Sequence, residues 1–69
     1  MNHEKSPQLT EQELRVLQLA AQGLTNKKIA SNLGIKPVTV EFHVKNIFRK
    51  LNVSSRVEAV VLAEKTGLV

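Results

Sequence analysis

The sequence predicts an all-α domain of four helices around one core, and three observations predict it. Apolar residues recur at helical spacing from Leu14 to Ala63. Each periodic stretch opens at a Ser, Thr or Pro, and three of them close at a glycine. No stretch alternates with the period of a strand, and there is neither an internal repeat nor a low-complexity run.

The first helix begins at a capping box, in which Thr10 is followed three residues later by Glu13. Leu9 and Leu14 stand where a hydrophobic staple packs, and the helix runs to about Gln22 before Gly23. Leu14, Val16, Leu17, Ala20 and Ala21 make a wide buried stripe, with Leu19 lying off it as a partner contact or an ordinary exposed leucine. The second helix, about Asn26 to Leu33, is capped by Thr25 and turns Ile29, Ala30 and Leu33 inward. Gly34 closes it, Ile35 tucks in, and Pro37 opens the third helix at a position where its fixed φ is already helical. Lys36 is a poor cap there, worth about 1 kcal/mol less than Ser or Asp. The third helix continues to about Leu51. After Asn52 and Val53, Ser54 or Ser55 caps a fourth that ends at Thr66 and Gly67, with Ser55 and Glu58 repeating the box pattern.

Placed at steps of about 100°, the third helix has two unlike sides. Val40, His43, Val44, Ile47, Phe48 and Leu51 collect on one and bury. Glu41, Phe42, Lys45, Asn46 and Arg49 collect on the other, which is basic and holds an aromatic that solvent alone does not explain. Two helices joined by a tight Gly-containing turn, the second with such a face, have the form of a helix-turn-helix that enters a DNA major groove. The fourth helix differs. Ala59, Val60 and Ala63 form an inward stripe, Val57 and Val61 form a second, and Leu62 lies off both. That is more apolar surface than so small a domain hides, and it points to homodimerisation through Val57, Val61 and Leu62.

At 69 residues the chain is one small domain, of a size that buries only about 60% of the surface its unfolded form exposes. It has no cysteine, so neither a disulfide framework nor a thiolate metal site is expected. His3 and His43 have no metal-ligand spacing, so the reading includes no metal and no cofactor. No apolar run approaches the ~20 residues of a membrane span, and the expected location is the cytoplasm. Residues 1–8 read as a flexible arm or linker remnant, or a short DNA-contacting arm, and residues 9–69 as the domain. The charge is unevenly spread. Between Thr25 and Arg56, Lys27, Lys28, Lys36, Lys45, Arg49, Lys50 and Arg56 face the single acid Glu41, a net +6, while the rest carries −2. A polyanion is the expected partner of that segment.

The stretches LTxxE, GLTNKxIAxxL, TVxxHxxNIxxKL and VxxRxEAV together make the chain, from about Leu9 to Leu68, resemble the LuxR-type (NarL/FixJ-type) helix-turn-helix domain. The resemblance implies a bacterial transcription regulator that binds double-stranded DNA as a homodimer. It puts the helix-turn-helix at about Asn26 to Lys45 and dimerisation in the last helix. It also implies a receiver or ligand-sensing domain ahead of this one in a longer parent, so the chain is expected to be an excised output domain rather than a free-standing regulator. Two residues depart from the family's pattern: Lys36 stands where Ser or Thr is usual, and Glu41 where several members have Lys or Arg. Base preferences therefore do not transfer.

On DNA, Thr25, Asn26, Lys27, Lys36, Thr39, Asn46 and Arg49 are expected at phosphates, where they set register. Lys45 is the candidate for guanine O6/N7 and Phe42 for a thymine methyl. Glu41 accepts from cytosine N4 or repels wrong sites. Val40, although on the side that buries, is included in the interface. His43 is expected to be a hydrogen-bonded structural histidine. Glu13 is expected to pair with Arg56 or Lys50, so that Glu13→Ala strongly lowers the melting temperature. No nucleophile with a base, paired carboxylates or metal cluster is present, and no enzymatic activity is expected. The competing reading is a protein-interaction module of the same fold that binds another regulator through the last helix or Leu19.

Overall fold

The computed structural model describes residues 8–69, which form four helices in the order α1 (Glu11–Ala21), α2 (Asn26–Leu33), α3 (Pro37–Leu51) and α4 (Arg56–Thr66). Apart from Gln8, the arm or linker expected at residues 1–8 lies outside the described residues.

Local chemistry sets each boundary. The Thr10 hydroxyl accepts from the Glu13 amide at 3.1 Å, and Glu13 Oε1 accepts from the Thr10 amide at 2.9 Å, so both halves of the expected box are made. Thr25 caps α2 by accepting from the Lys28 amide at 3.3 Å. Gly34 then takes φ 72°, a left-handed turn in which the Ile35 amide reaches back to the Ala30 carbonyl at 3.0 Å. This turn swings the chain from α2 into α3. Lys36 makes no side-chain cap, as its chemistry requires. Asn52 closes α3 at φ 57°, a conformation that asparagine tolerates better than most residues. At α4 the Ser55 hydroxyl accepts from the Glu58 amide at 3.1 Å, but the Glu58 carboxylate reaches one residue further than a box requires. It accepts from the Ser54 amide at 2.8 Å and the Ser54 hydroxyl at 3.2 Å. Those two bonds, with the Ser55 amide, hold the Glu58 pKa below its ordinary value.

The core takes Val16 and Leu17 from α1, Ile29 and Ala30 from α2, Val40, Ile47 and Leu51 from α3, and Ala59 and Ala63 from α4. α1 and α3 each pack against the other three helices, whereas α2 and α4 do not pack on each other. α3 is therefore clamped along its inner side, and its outer side is left free. Two expectations about α1 change. Leu14 and Ala21 are only half-buried and stand outside the core cluster, while Leu19 packs against it. α2 crosses α1 near Leu19 and Leu33, which line one shallow pocket, and that crossing moves the buried arc towards Leu19.

Two basic side chains make long-range ties that finish the packing. Lys50, at the end of α3, donates to Glu13 Oε1 at 2.8 Å and to the Gln8 carbonyl at 3.1 Å. Of the two partners considered for Glu13, Lys50 is the one found. Burial raises the Glu13 pKa, but Lys50 and the Thr10 amide more than offset it and leave the carboxyl below its ordinary range. Arg56 instead donates to Asn26 Oδ1 at 3.1 Å and to the Leu24 carbonyl, spanning the gap between the starts of α4 and α2.

Candidate nucleic-acid interface

The candidate surface is the start of α2 together with the outer side of α3. Pro37 and the unbroken helix to Leu51 fix the direction of every α3 side chain, and the inner anchors Val40 (0% exposed) and Ile47 (2%) fix its rotation. With that rotation set, Glu41, Phe42, Lys45 and Arg49 point to solvent, and Thr39 and Asn46 flank them half-buried. Phe42 is 61% exposed, an aromatic face held open in the middle of a charged field.

Val40 does not belong to this surface. Its position groups it with Val44, Ile47 and Leu51, and it is fully buried, so its inclusion is corrected. Val38 was missed. It is 65% exposed and stands one helical turn before Phe42 on the same side. Periodicity counted from Val40 leaves out this first turn, whereas counting from Pro37 finds it.

At the start of α2, Thr25, Lys27 and Lys28 are exposed, and Lys28 joins the surface although only its charge had been noticed. Thr25 uses an oxygen lone pair to cap the helix and keeps its hydroxyl proton free to donate. Asn26 is half-buried because Arg56 holds it. A guanidinium only donates, so the amide oxygen must face Arg56, which leaves the amide NH2 as a donor on the other side. The N-terminal amides of α2 carry the positive end of the helix dipole in the same place.

The charge is redistributed relative to the sequence count. Lys50, although exposed, and Arg56 are engaged with protein acceptors, which leaves Lys27, Lys28, Lys36, Lys45 and Arg49 as the exposed cations of the segment available to a ligand, opposed only by Glu41. His43 is half-buried with its ring tilted against Phe42, centroids 5.9 Å apart. Its buried Nδ1 has no hydrogen-bond partner in the protein, so the expected hydrogen bond is not made at that nitrogen by a protein group. Among the described residues no His, Asp and Glu cluster could hold a metal ion, and no helix is long and apolar enough to cross a membrane.

Beyond the C-terminal end of α3, Val57 (72% exposed) and Val61 (44%) stand open on α4 beside Val53 and Lys65. Leu62 is half-buried: it packs against the core and also lines the same surface groove as the two valines. Ala59 and Ala63, the buried residues of α4, set its rotation, which leaves Leu62 half-buried and the two valines exposed.

The model of the bacterial regulatory proteins of the luxR family matches residues 7–63. The nitrate/nitrite response regulator protein NarP of Escherichia coli is 59% identical over 54 residues, covering 78% of this chain and 25% of that protein. The transcriptional regulatory protein LiaR of Bacillus subtilis is 48% identical over 61 residues, covering 88% and 29%. Among solved structures, the transcription factor GerE superposes with a TM-score of 0.82 at 33% identity, over 87% of this chain and 90% of that one. The response regulator StyR gives 0.79 at 54% identity, over 83% and 29%. The chain thus spans about a quarter to a third of the response regulators it matches, and nearly all of GerE. With its four helices in the arrangement of those structures, the chain belongs to the luxR family of bacterial regulatory proteins.

Proposed function

We propose that this domain binds double-stranded DNA sequence-specifically as the output domain of a bacterial transcription regulator, with α3 in the major groove. The observation that carries the reading is the outer side of α3, where Phe42, Lys45 and Arg49 stay exposed while the inner side is locked into the core. Membership of a family whose members NarP and GerE are named as a response regulator and a transcription factor supports it. Thr25, Asn26, Lys27, Lys28, Lys36, Thr39, Asn46 and Arg49 serve phosphates and set register. Lys45, in the middle of the exposed face, donates to guanine O6/N7. Glu41 screens the sequence by accepting from cytosine N4 and repelling acceptor edges.

Two copies pair through Val57 and Val61, which a monomer leaves in water, and so present two α3 helices to successive major grooves. The small share of the response regulators covered by this chain supports a longer parent with a receiver domain, and a DNA target puts its work in the cytoplasm. The protein-interaction alternative gives no reason for Lys45 and Arg49 to share α3 with an exposed Phe42.

The test is duplex binding against salt. The proposal expects log K to fall linearly and steeply with log salt, in proportion to the phosphates contacted. Binding that ignores salt would remove it.

A further inference from the structure

Val38 and Phe42 are four residues apart on α3, at 65% and 61% exposure. At that spacing two side chains are neighbours, about 5–6 Å apart at Cβ, so they form one apolar ridge. Val38 is the second residue of the helix, at the end that meets base edges in helix-turn-helix docking. The half-buried His43 ring supports Phe42 from the side, which reduces what ordering the phenyl ring costs on binding. The surroundings are charged, with Lys36 before the ridge, Glu41 beside it, and Lys45 and Arg49 after it. A protein partner does not suit that frame, because the cores of protein interfaces are depleted in lysine. A polyanion that itself displays isolated apolar groups suits both the frame and the ridge. In the major groove the thymine C5-methyl is that group.

We infer that Val38 and Phe42 together read two thymine methyl groups, and that Val38 is a specificity-determining residue of this domain. The inference rests on the DNA-binding reading above. Four residues at about 1.5 Å rise span about 6 Å. Base pairs stack at about 3.4 Å, so with α3 lying along the groove the two methyls are about two base steps apart. Glu41 stands three residues after Val38 and next to Phe42. Its carboxylate repels the acceptor edge of guanine and accepts from a cytosine amino group, which disfavours guanine alongside the thymines.

The test begins by selecting duplexes from a random pool with the 69-residue chain at fixed salt. Each thymine of the preferred duplex is then replaced singly by deoxyuridine, which deletes one methyl and nothing else. Burial of one methyl corresponds to about three- to fivefold in affinity. The expected result is two sensitive thymines per half-site, about two steps apart. Val38→Ala should become insensitive at one of them and Phe42→Ala at the other, both with the parent's melting temperature, since both side chains are exposed. Val38→Thr, which keeps one of the two γ-methyls, should fall between the parent and Val38→Ala in its sensitivity at that thymine. If the chain keeps its preferred sequence yet tolerates deoxyuridine at every position, methyl reading is wrong and DNA binding stands. Sensitivity that survives both alanine variants also overturns the assignment. A chain that selects no sequence and shows no salt-dependent binding removes this inference together with the reading it rests on. If Phe42→Ala instead abolishes self-association in sedimentation and leaves the selected sequence unchanged, the ridge is a protein contact and the inference fails.

Discussion

α3 and α4 both lay their inner sides against α1, but they do so with different residues and leave different things outside. α3 anchors with Val40, Ile47 and Leu51 and exposes cations around an apolar ridge. α4 anchors with Ala59 and Ala63, small enough for close approach, and exposes Val57 and Val61. A helix held by large residues is fixed in rotation, which a surface that must meet base edges in register needs. A helix held by alanines keeps less apolar area inside and more outside, which suits pairing with another copy of itself. On the proposed function, the first kind of anchoring serves a surface that reads base edges and the second serves pairing.

The largest effect expected from breaking this comparison is at the α3 anchor. Ile47→Ala should cost about 2–5 kcal/mol in a denaturant titration, because a fully buried branched side chain leaves a cavity. Glu13→Ala comes next. It removes the reciprocal cap of α1 and the acceptor of Lys50, for about 1–3 kcal/mol and a correspondingly lower melting temperature. A melting curve unchanged from the parent would show that the contact is incidental.

Substitutions on the outer sides should separate binding from folding. Lys45→Ala should lose about 1–3 kcal/mol of discrimination at one base pair and melt like the parent. Val57→Glu combined with Val61→Glu should abolish pairing in sedimentation while stability moves by only about 0.5 kcal/mol, since both sites are exposed. Loss of folding in that variant would mean α4 is anchored by more than its alanines. Lys27→Ala should weaken all duplexes alike and reduce the salt slope by about one.

The smallest effect is in pH. The depressed Glu13 pKa makes its contribution to stability fully present above the ordinary value of 4.5 and lost as pH falls through the folded value. Glu13→Gln should therefore be less stable than the parent near neutrality, and the two should converge on acidification below about pH 4.5. Parallel stability curves through that range would assign the acid sensitivity to other carboxylates.

The fold was largely legible because its boundaries are written in local chemistry. Thr10, Thr25 and Gly34 stop or start helices through bonds to their own neighbours and Pro37 through its fixed φ, and the observed ends agree to within a residue or so. The two sides of α3 followed from periodicity alone, with one slip in each direction. Val40 shares its angular position with Ile47 and is buried, not part of the interface, and Val38, in the first turn ahead of the face defined from Val40, is exposed beside it. What the sequence hid is what crosses the chain. Arg56 meets Asn26 and Leu24 some 30 residues away, a pairing that depends on how α2 and α4 face one another across α1 and α3. The inner stripe of α4 at Ala59 and Ala63 was readable, but the partial burial of Leu62, which lies off both stripes, depends on the neighbouring helices. His43 shows the same limit. Its position between the two sides of α3 was readable, but whether its nitrogen finds a partner depends on the packed surroundings.

The account depends on α3 offering its outer side to a duplex while its inner side stays in the core. Amide and side-chain shift mapping by NMR, with the preferred duplex titrated into the labelled chain, tests that directly. The account predicts the largest changes at Thr25 to Lys28, Lys36, Val38, Glu41, Phe42, Lys45 and Arg49, with the Val16 and Ile47 methyls almost still. A bound duplex that leaves Phe42 and Lys45 unshifted would contradict it.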